Sequence, residues 1–133
     1  MSIPSAQTFM TALQKVEETR DVTPVVELFA DECSVSNLAM QEPATGRQGA
    51  VQFWRQYLHV FQEIHSEFSH WVETEQAIVL EWNSKGWLND GQPVQYAGVS
   101  VIEKADGRVQ RFRTYYDSAA FTPAGKRPAS GPA

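Results

Sequence analysis

The chain has a single cysteine, Cys33, among 133 residues, so no intramolecular disulfide can form. A lone thiol fits a reducing compartment, and a cytoplasmic location is expected. Cys33 itself reads as a small apolar side chain bound for the interior. Long apolar runs are missing too: none approaches the ~20 residues of a membrane-spanning helix. The start, "MSIPSAQTFMTALQK", lacks a charged segment followed by an apolar one. Neither a membrane partner nor a secretory leader is therefore expected. Basic residues are in the minority, with 11 Lys and Arg against 16 Asp and Glu and a net charge of −5. A nucleic-acid binder needs a basic stripe that displaces counterions from phosphates. Only Arg108, Arg111 and Arg113 come close to one another here, so nucleic acid is not an expected partner.

Histidines are few as well. His65 and His70 are five apart in a predicted strand, which puts them on opposite faces, and His59 falls on a predicted helix. No three-ligand metal site is expected from that spacing. A glycine-rich phosphate loop and a Gly-x-Ser-x-Gly elbow are also absent, and no cofactor is expected.

What is present is a 42% hydrophobic chain with a sharp change of texture after Phe61. Before it, three segments carry helical periodicity. "SAQTFMTALQKVEETR" repeats Phe9, Met10, Leu13 and Val16 at helical spacing. "DVTPVVELFADE" offers Thr23 as N-cap and Pro24 at the first helical position. "TGRQGAVQFWRQYLHVF" opens on a Thr45/Gln48 capping-box spacing and places Tyr57 and Phe61 on one helix face. A short strand, "CSVSNLA", lies between the second and third helices. After Phe61, four β-branched and aromatic segments alternate with the turn signals Glu73-Thr74-Glu75, Asn89-Asp90-Gly91 and Ala105-Asp106-Gly107, as in an antiparallel meander. Helices grouped first and strands later predict an α+β fold. Residues 1–121 read as a single domain, and the Pro-, Gly- and Ala-rich residues 122–133 as a disordered tail.

The last strand, "RFRTYYDSAAF", poses a question of faces. Alternation sets Arg111, Arg113, Tyr115 and Asp117 against Phe112, Thr114 and Tyr116. Burying two guanidiniums costs several kcal/mol each unless carboxylates meet them. Phe112, Thr114 and Tyr116 are therefore expected inside, with the arginines outside. Trp82 and Ser84 likewise share one strand face.

This order of elements resembles the nuclear transport factor 2-like superfamily, which holds ketosteroid isomerase, limonene epoxide hydrolase and the SnoaL-like polyketide cyclases. The resemblance covers roughly residues 4 to 121 and is carried by "VVELFADECSV", "GRQGAVQFW", "WLNDGQPV" and "DGRVQRFRTYYD". It implies a strongly curved antiparallel sheet wrapped around three helices, with a cone-shaped cavity inside. Taken residue by residue, it also shows what is gone. The isomerase's general base falls on Asn37, whose amide cannot take a carbon-bound proton. The isomerase's tyrosine donor falls on Leu13, and its second donor on Val99 or Ser100. The epoxide hydrolase's arginine and two aspartates fall on Trp82, Ser84 and Thr114; only its asparagine has a match, at Asn37. Asp117 corresponds to a terminal strand aspartate with a structural role.

The expected cavity lining is thus Leu13, Asn37, Tyr57, Phe61, Trp82, Ser84, Phe112, Thr114 and Tyr116. Such an aromatic wall with a few neutral hydrogen-bonding groups suits a small, mostly apolar ligand. The leading expectation is a binding protein for such a molecule. One alternative is an isomerase, cyclase or hydrolase drawing its acid or base from His70 or Glu73. Another is a protein–protein interaction module. A homodimer is expected through the outer face that bears Arg111, Arg113 and Tyr115.

Overall fold

Ser5 starts the first helix, its hydroxyl accepting from the Thr8 N–H at 3.1 Å. In the computed structural model, which describes residues 5–121, α1 then runs over Ala6–Thr19. It ends where Arg20 turns left-handed at φ 66°. Phe9, Met10, Leu13 and Val16 form its buried stripe, as their spacing requires. The Arg20 guanidinium donates to the Leu58 and Phe61 carbonyls at 2.7 and 2.9 Å, tying the end of α1 to the end of the third helix.

The second helix is far shorter than its periodicity suggests. α2 covers only Thr23–Val26, with Val22 rather than Thr23 at its N-cap, and Phe29 already belongs to a strand. A short apolar run satisfies helix and strand alike, and long-range pairing decides between them. Here β1, Phe29–Asn37, lies parallel to the last strand, and the Val109 N–H donates to the Leu28 carbonyl at 2.8 Å. The strand's buried positions include Phe29, Cys33 and Val35.

β2 (Ala44–Thr45) pairs with β1, and α3 (Gly46–His59) follows. The capping box does not form. Thr45 is held in the β1 pairing and makes no side-chain cap bond. Phe61 is not on the helix either, because it opens β3. The meander is β3 (Phe61–Glu73), β4 (Ala77–Leu88), β5 (Pro93–Ala105) and β6 (Arg108–Tyr116), closed by a short 3-10 turn at Ser118–Phe121. Asp106 and Gly107 both have positive φ, 53° and 76°, the demand of a tight hairpin turn and the reason for Asp-Gly there.

The strands form one six-stranded sheet in the order β2-β1-β6-β5-β4-β3. It is mixed, not purely antiparallel, since β1 joins β6 in parallel. This is an α+β cone, with α1 and α3 packed into the concave face of the bent sheet. A closed end is filled by Phe9, Phe29, Trp54 and Phe112, with Phe9 stacked on Phe112 at 5.8 Å between ring centres and Trp54 at 5.1 Å. Among the described residues no helix is long and apolar enough to cross a membrane. The tail, 122–133, lies outside the described residues.

A bulge in β3 corrects the histidine assignment. Pairing shifts between Phe68 and His70, so that His65 opposes Lys85 and His70 opposes Glu81. The extra residue returns His70 to the outer face that His65 already occupies.

Candidate functional site

Cross-strand register lays the inner face of the sheet out in rows. One row runs Ser66, Ser84, Tyr96; the next runs Phe68, Trp82, Gly98, Tyr116; a third runs Leu80, Ser100, Thr114, Asn37. The row that follows, Ile78, Ile102, Phe112, Val35, seals the closed end. Against these rows α1 sets Leu13, and α3 sets Phe53, Trp54 and Tyr57. Between them lies a cavity of about 680 Å³.

All nine side chains expected from the sequence line this cavity: Leu13, Asn37, Tyr57, Phe61, Trp82, Ser84, Phe112, Thr114 and Tyr116. Phe61 reaches it from β3, not α3, and still meets Tyr57 edge-on at 5.5 Å. The register also settles the ambiguity at 99 and 100. Ser100 faces inward, whereas Val99 pairs with Glu81 and Tyr115 on the outside. Asn37 sits half-buried, its Oδ1 accepting from the Ala39 N–H at 2.9 Å, so its amide is already engaged in a turn.

Sequence reasoning missed the aromatic mouth. Tyr96 stacks on Phe61 at 6.2 Å and meets Phe121 edge-on at 4.8 Å. Phe121 arrives through the 3-10 turn, where Asp117 Oδ1 accepts from the Ala119 N–H at 2.9 Å. That bond gives Asp117 a structural task and keeps it off the cavity wall.

Two polar clusters interrupt the aromatic lining. In one, Trp82 Nε1 donates to Ser100 Oγ at 3.0 Å, and Ser100 Oγ lies 2.9 Å from Thr114 Oγ1. The other is built on Glu17, which little in its sequence surroundings singles out. Its only signal is position: four after Leu13, it falls on the buried stripe of α1. Glu17 is 5% exposed, and none of the ion pairs among the described residues includes it. Its Oε1 accepts the Ser66 N–H at 2.7 Å; its Oε2 accepts the Ser66 and Tyr57 hydroxyls, each at 2.6 Å. Ser66 Oγ continues to Ser84 Oγ at 2.6 Å. Burial pushes the Glu17 carboxyl above its usual range, against the hydrogen bonds from Ser66 and Tyr57. Burial, and then the Glu17 charge, hold Tyr57 well above an ordinary phenol, while burial and Tyr116 raise Tyr96. These tyrosines are neutral hydrogen-bonding groups at physiological pH.

Neither acid–base alternative from the sequence reaches the cavity. His70 is exposed and pairs with Glu81 at 2.8 Å. Glu73 accepts the Ala6 N–H and pairs with Lys104 at 3.2 Å. The bulge turns His70 outward, whereas Glu73 shares a face with Ile78 in the closed-end row and caps the start of α1, beyond the cavity. No carboxylate among the described residues lines the cavity directly; Glu17 reaches it through hydroxyls.

The SnoaL-like domain family model matches residues 6–112, and the chain belongs to that family. Solved structures share the fold at low identity. A protein with ketosteroid isomerase-like fold from Catenulispora acidiphila, in complex with trimethylamine, superposes with a TM-score of 0.77 at 14% identity, over 93% of this chain and 100% of that one. A putative SnoaL-like polyketide cyclase from Jannaschia gives 0.74 at 14% identity, over 97% and 98%. An NTF2-like protein from Anabaena variabilis gives 0.75 at 15%, over 85% and 87%. No curated protein matches the chain.

Proposed function

We propose that this chain binds a small, mostly apolar, ring-bearing molecule inside the cone. The observation that carries this reading is the cavity itself. Its volume, about 680 Å³, suits a small organic ligand, and nine of its lining residues are aromatic: Phe53, Trp54, Tyr57, Phe61, Trp82, Tyr96, Phe112, Tyr116 and Phe121. Ser84, Ser100 and Thr114 add hydroxyls that orient one polar end. Such a volume supports ligand binding over a protein–protein module, whose cone needs no empty interior. The trimethylamine complex and the polyketide cyclase name belong to neighbours that are alike in fold, and they are compatible with a cavity that takes small organic molecules.

The test is a fluorescence titration with 2-methylnaphthalene, beside mass spectrometry of a solvent extract of the purified protein. Trp82 lies on the wall, so ligand binding should perturb its emission. Wild type should saturate, and Trp82→Phe should reduce the response to what Trp54, on the same wall, supplies. A wild-type signal that never saturates, together with an extract free of small molecules, would remove the reading.

A further inference from the structure

Resting on the cavity as a ligand site, we infer that Glu17 sets the hydrogen-bond polarity of the cavity floor through Ser66, Ser84 and Tyr57, selecting a ligand that donates a hydrogen bond, such as a phenol or enol. The available protons decide the direction of each bond. An ionised carboxylate only accepts, and Glu17 takes one proton from the Ser66 backbone, one from the Ser66 hydroxyl and one from Tyr57. Ser66 has a single hydroxyl proton, now committed to Glu17. Its 2.6 Å contact with Ser84 must therefore run from Ser84 to Ser66. Tyr57 and Ser84, both on the cavity wall, then direct their protons away from the cavity and leave lone pairs facing it. Tyr96, which faces the same floor from β5, has one proton and cannot serve both. An acceptor remains for the ligand's O–H.

Protonation reverses the chain. The groups that face Glu17 are Tyr57 from α3, Ser66 from β3 and Tyr96 from β5; its link to β4 is Ser84, and the nearby imidazole of His65 lies on the outer face of β3. As pH falls through the carboxyl's range, Oε2 gains a proton and donates it to Ser66 or Tyr57. The displaced hydroxyl proton then swings toward the cavity, which becomes a donor. Glu17→Gln imposes the same reversal without a change of shape. The Ser66 N–H demands a carbonyl oxygen at the Oε1 position, so the amide nitrogen must take the Oε2 position and donate to both hydroxyls.

The experiment compares 2-naphthol with 2-methoxynaphthalene, which accepts but cannot donate, over pH values at which the naphthol stays neutral. Wild type should bind the naphthol roughly five- to tenfold more tightly, the worth of one hydrogen bond. That preference should collapse toward one in Glu17→Gln and in Ser84→Ala, and fade in wild type as pH falls. His65→Gln should keep the profile, which separates the exposed imidazole from the carboxyl. If Glu17→Gln does not fold, Ser84→Ala and the wild-type pH profile decide. Equal affinity for both compounds in wild type, or a preference that survives in both variants, overturns the inference while leaving the cavity reading intact. Binding of neither compound overturns the inference, and the cavity reading falls with it when the 2-methylnaphthalene titration and the extract are blank as well.

Discussion

Glu17 is a carboxyl group held by three hydrogen bonds and by no ion pair among the described residues, which makes its protonation a matter of stability as well as of binding. Burial raises its folded-state pKa, so the folded protein holds this proton more tightly than the unfolded chain does. The stabilising contribution is complete below the unfolded value and is lost as pH rises through the folded one. Glu17→Gln cannot titrate. Its melting temperature relative to wild type should therefore climb between pH 4.5 and pH 8, and a difference that stays flat would show that burial does not dominate here. Asn37 behaves differently. An apolar-cavity position predicts that Asn37→Asp suffers increasingly at high pH, but the residue is half-exposed and accepts a backbone N–H that a carboxylate accepts at least as well. Paired melts at pH 5 and pH 8 should find no added penalty at the higher pH. These two residues show what a sequence reveals at this scale. Asn37 was legible because it occupies a family position, whereas Glu17 sits in "KVEETR", where a glutamate on a helix ordinarily faces water.

Among the strands, Gly98 makes room for the cavity wall. It lies between Trp82 and Tyr116 in the second inner row, and a Cβ there would run into the Trp82 ring and the Tyr115 carbonyl. The indole can lie across β5, with its N–H on Ser100, only because position 98 has no side chain. Gly98→Ala should cost about 1–3 kcal/mol in chemical denaturation, as overpacking does, and should weaken ligand binding by displacing Trp82. A neutral substitution would mean the indole has room to spare. The meander itself was written locally, in alternation and in turns such as Asp106-Gly107. What escaped were features without a local signature. The start of β1 at Phe29 depends on a parallel partner some eighty residues away, and the β3 bulge shows only as a slipped register with β4. Phe61 could have continued α3, but its ring packs equally well from the first position of a strand.

For the whole molecule, the convex face of the sheet is the open question. Val72 opposes Val79 and Val79 opposes Val101, while Val99, two residues from Val101, opposes Tyr115; these apolar side chains lie beside Glu81 and Arg113 on the side away from the helices. Val72 and Tyr115 are exposed, and Arg111 and Arg113 share Glu103 beside them at 3.3 and 3.0 Å. A self-complementary pairing of two such faces would cover these apolar side chains. Light scattering at micromolar concentration should return about twice 14.9 kDa, and Tyr115→Glu should halve it. A wild-type mass near that of one chain would rule the pairing out. The strict alternation of these strands also bears on how such a protein can diverge. Residues 84, 96, 100 and 114 speak only to the interior, and 79, 99, 101 and 115 only to the exterior, though they are neighbours in the chain. With the proposed ligand inside and the proposed pairing outside, ligand preference and self-association would drift independently, each on its own set of codons, and a lineage could exchange its ligand many times without relearning how to pair.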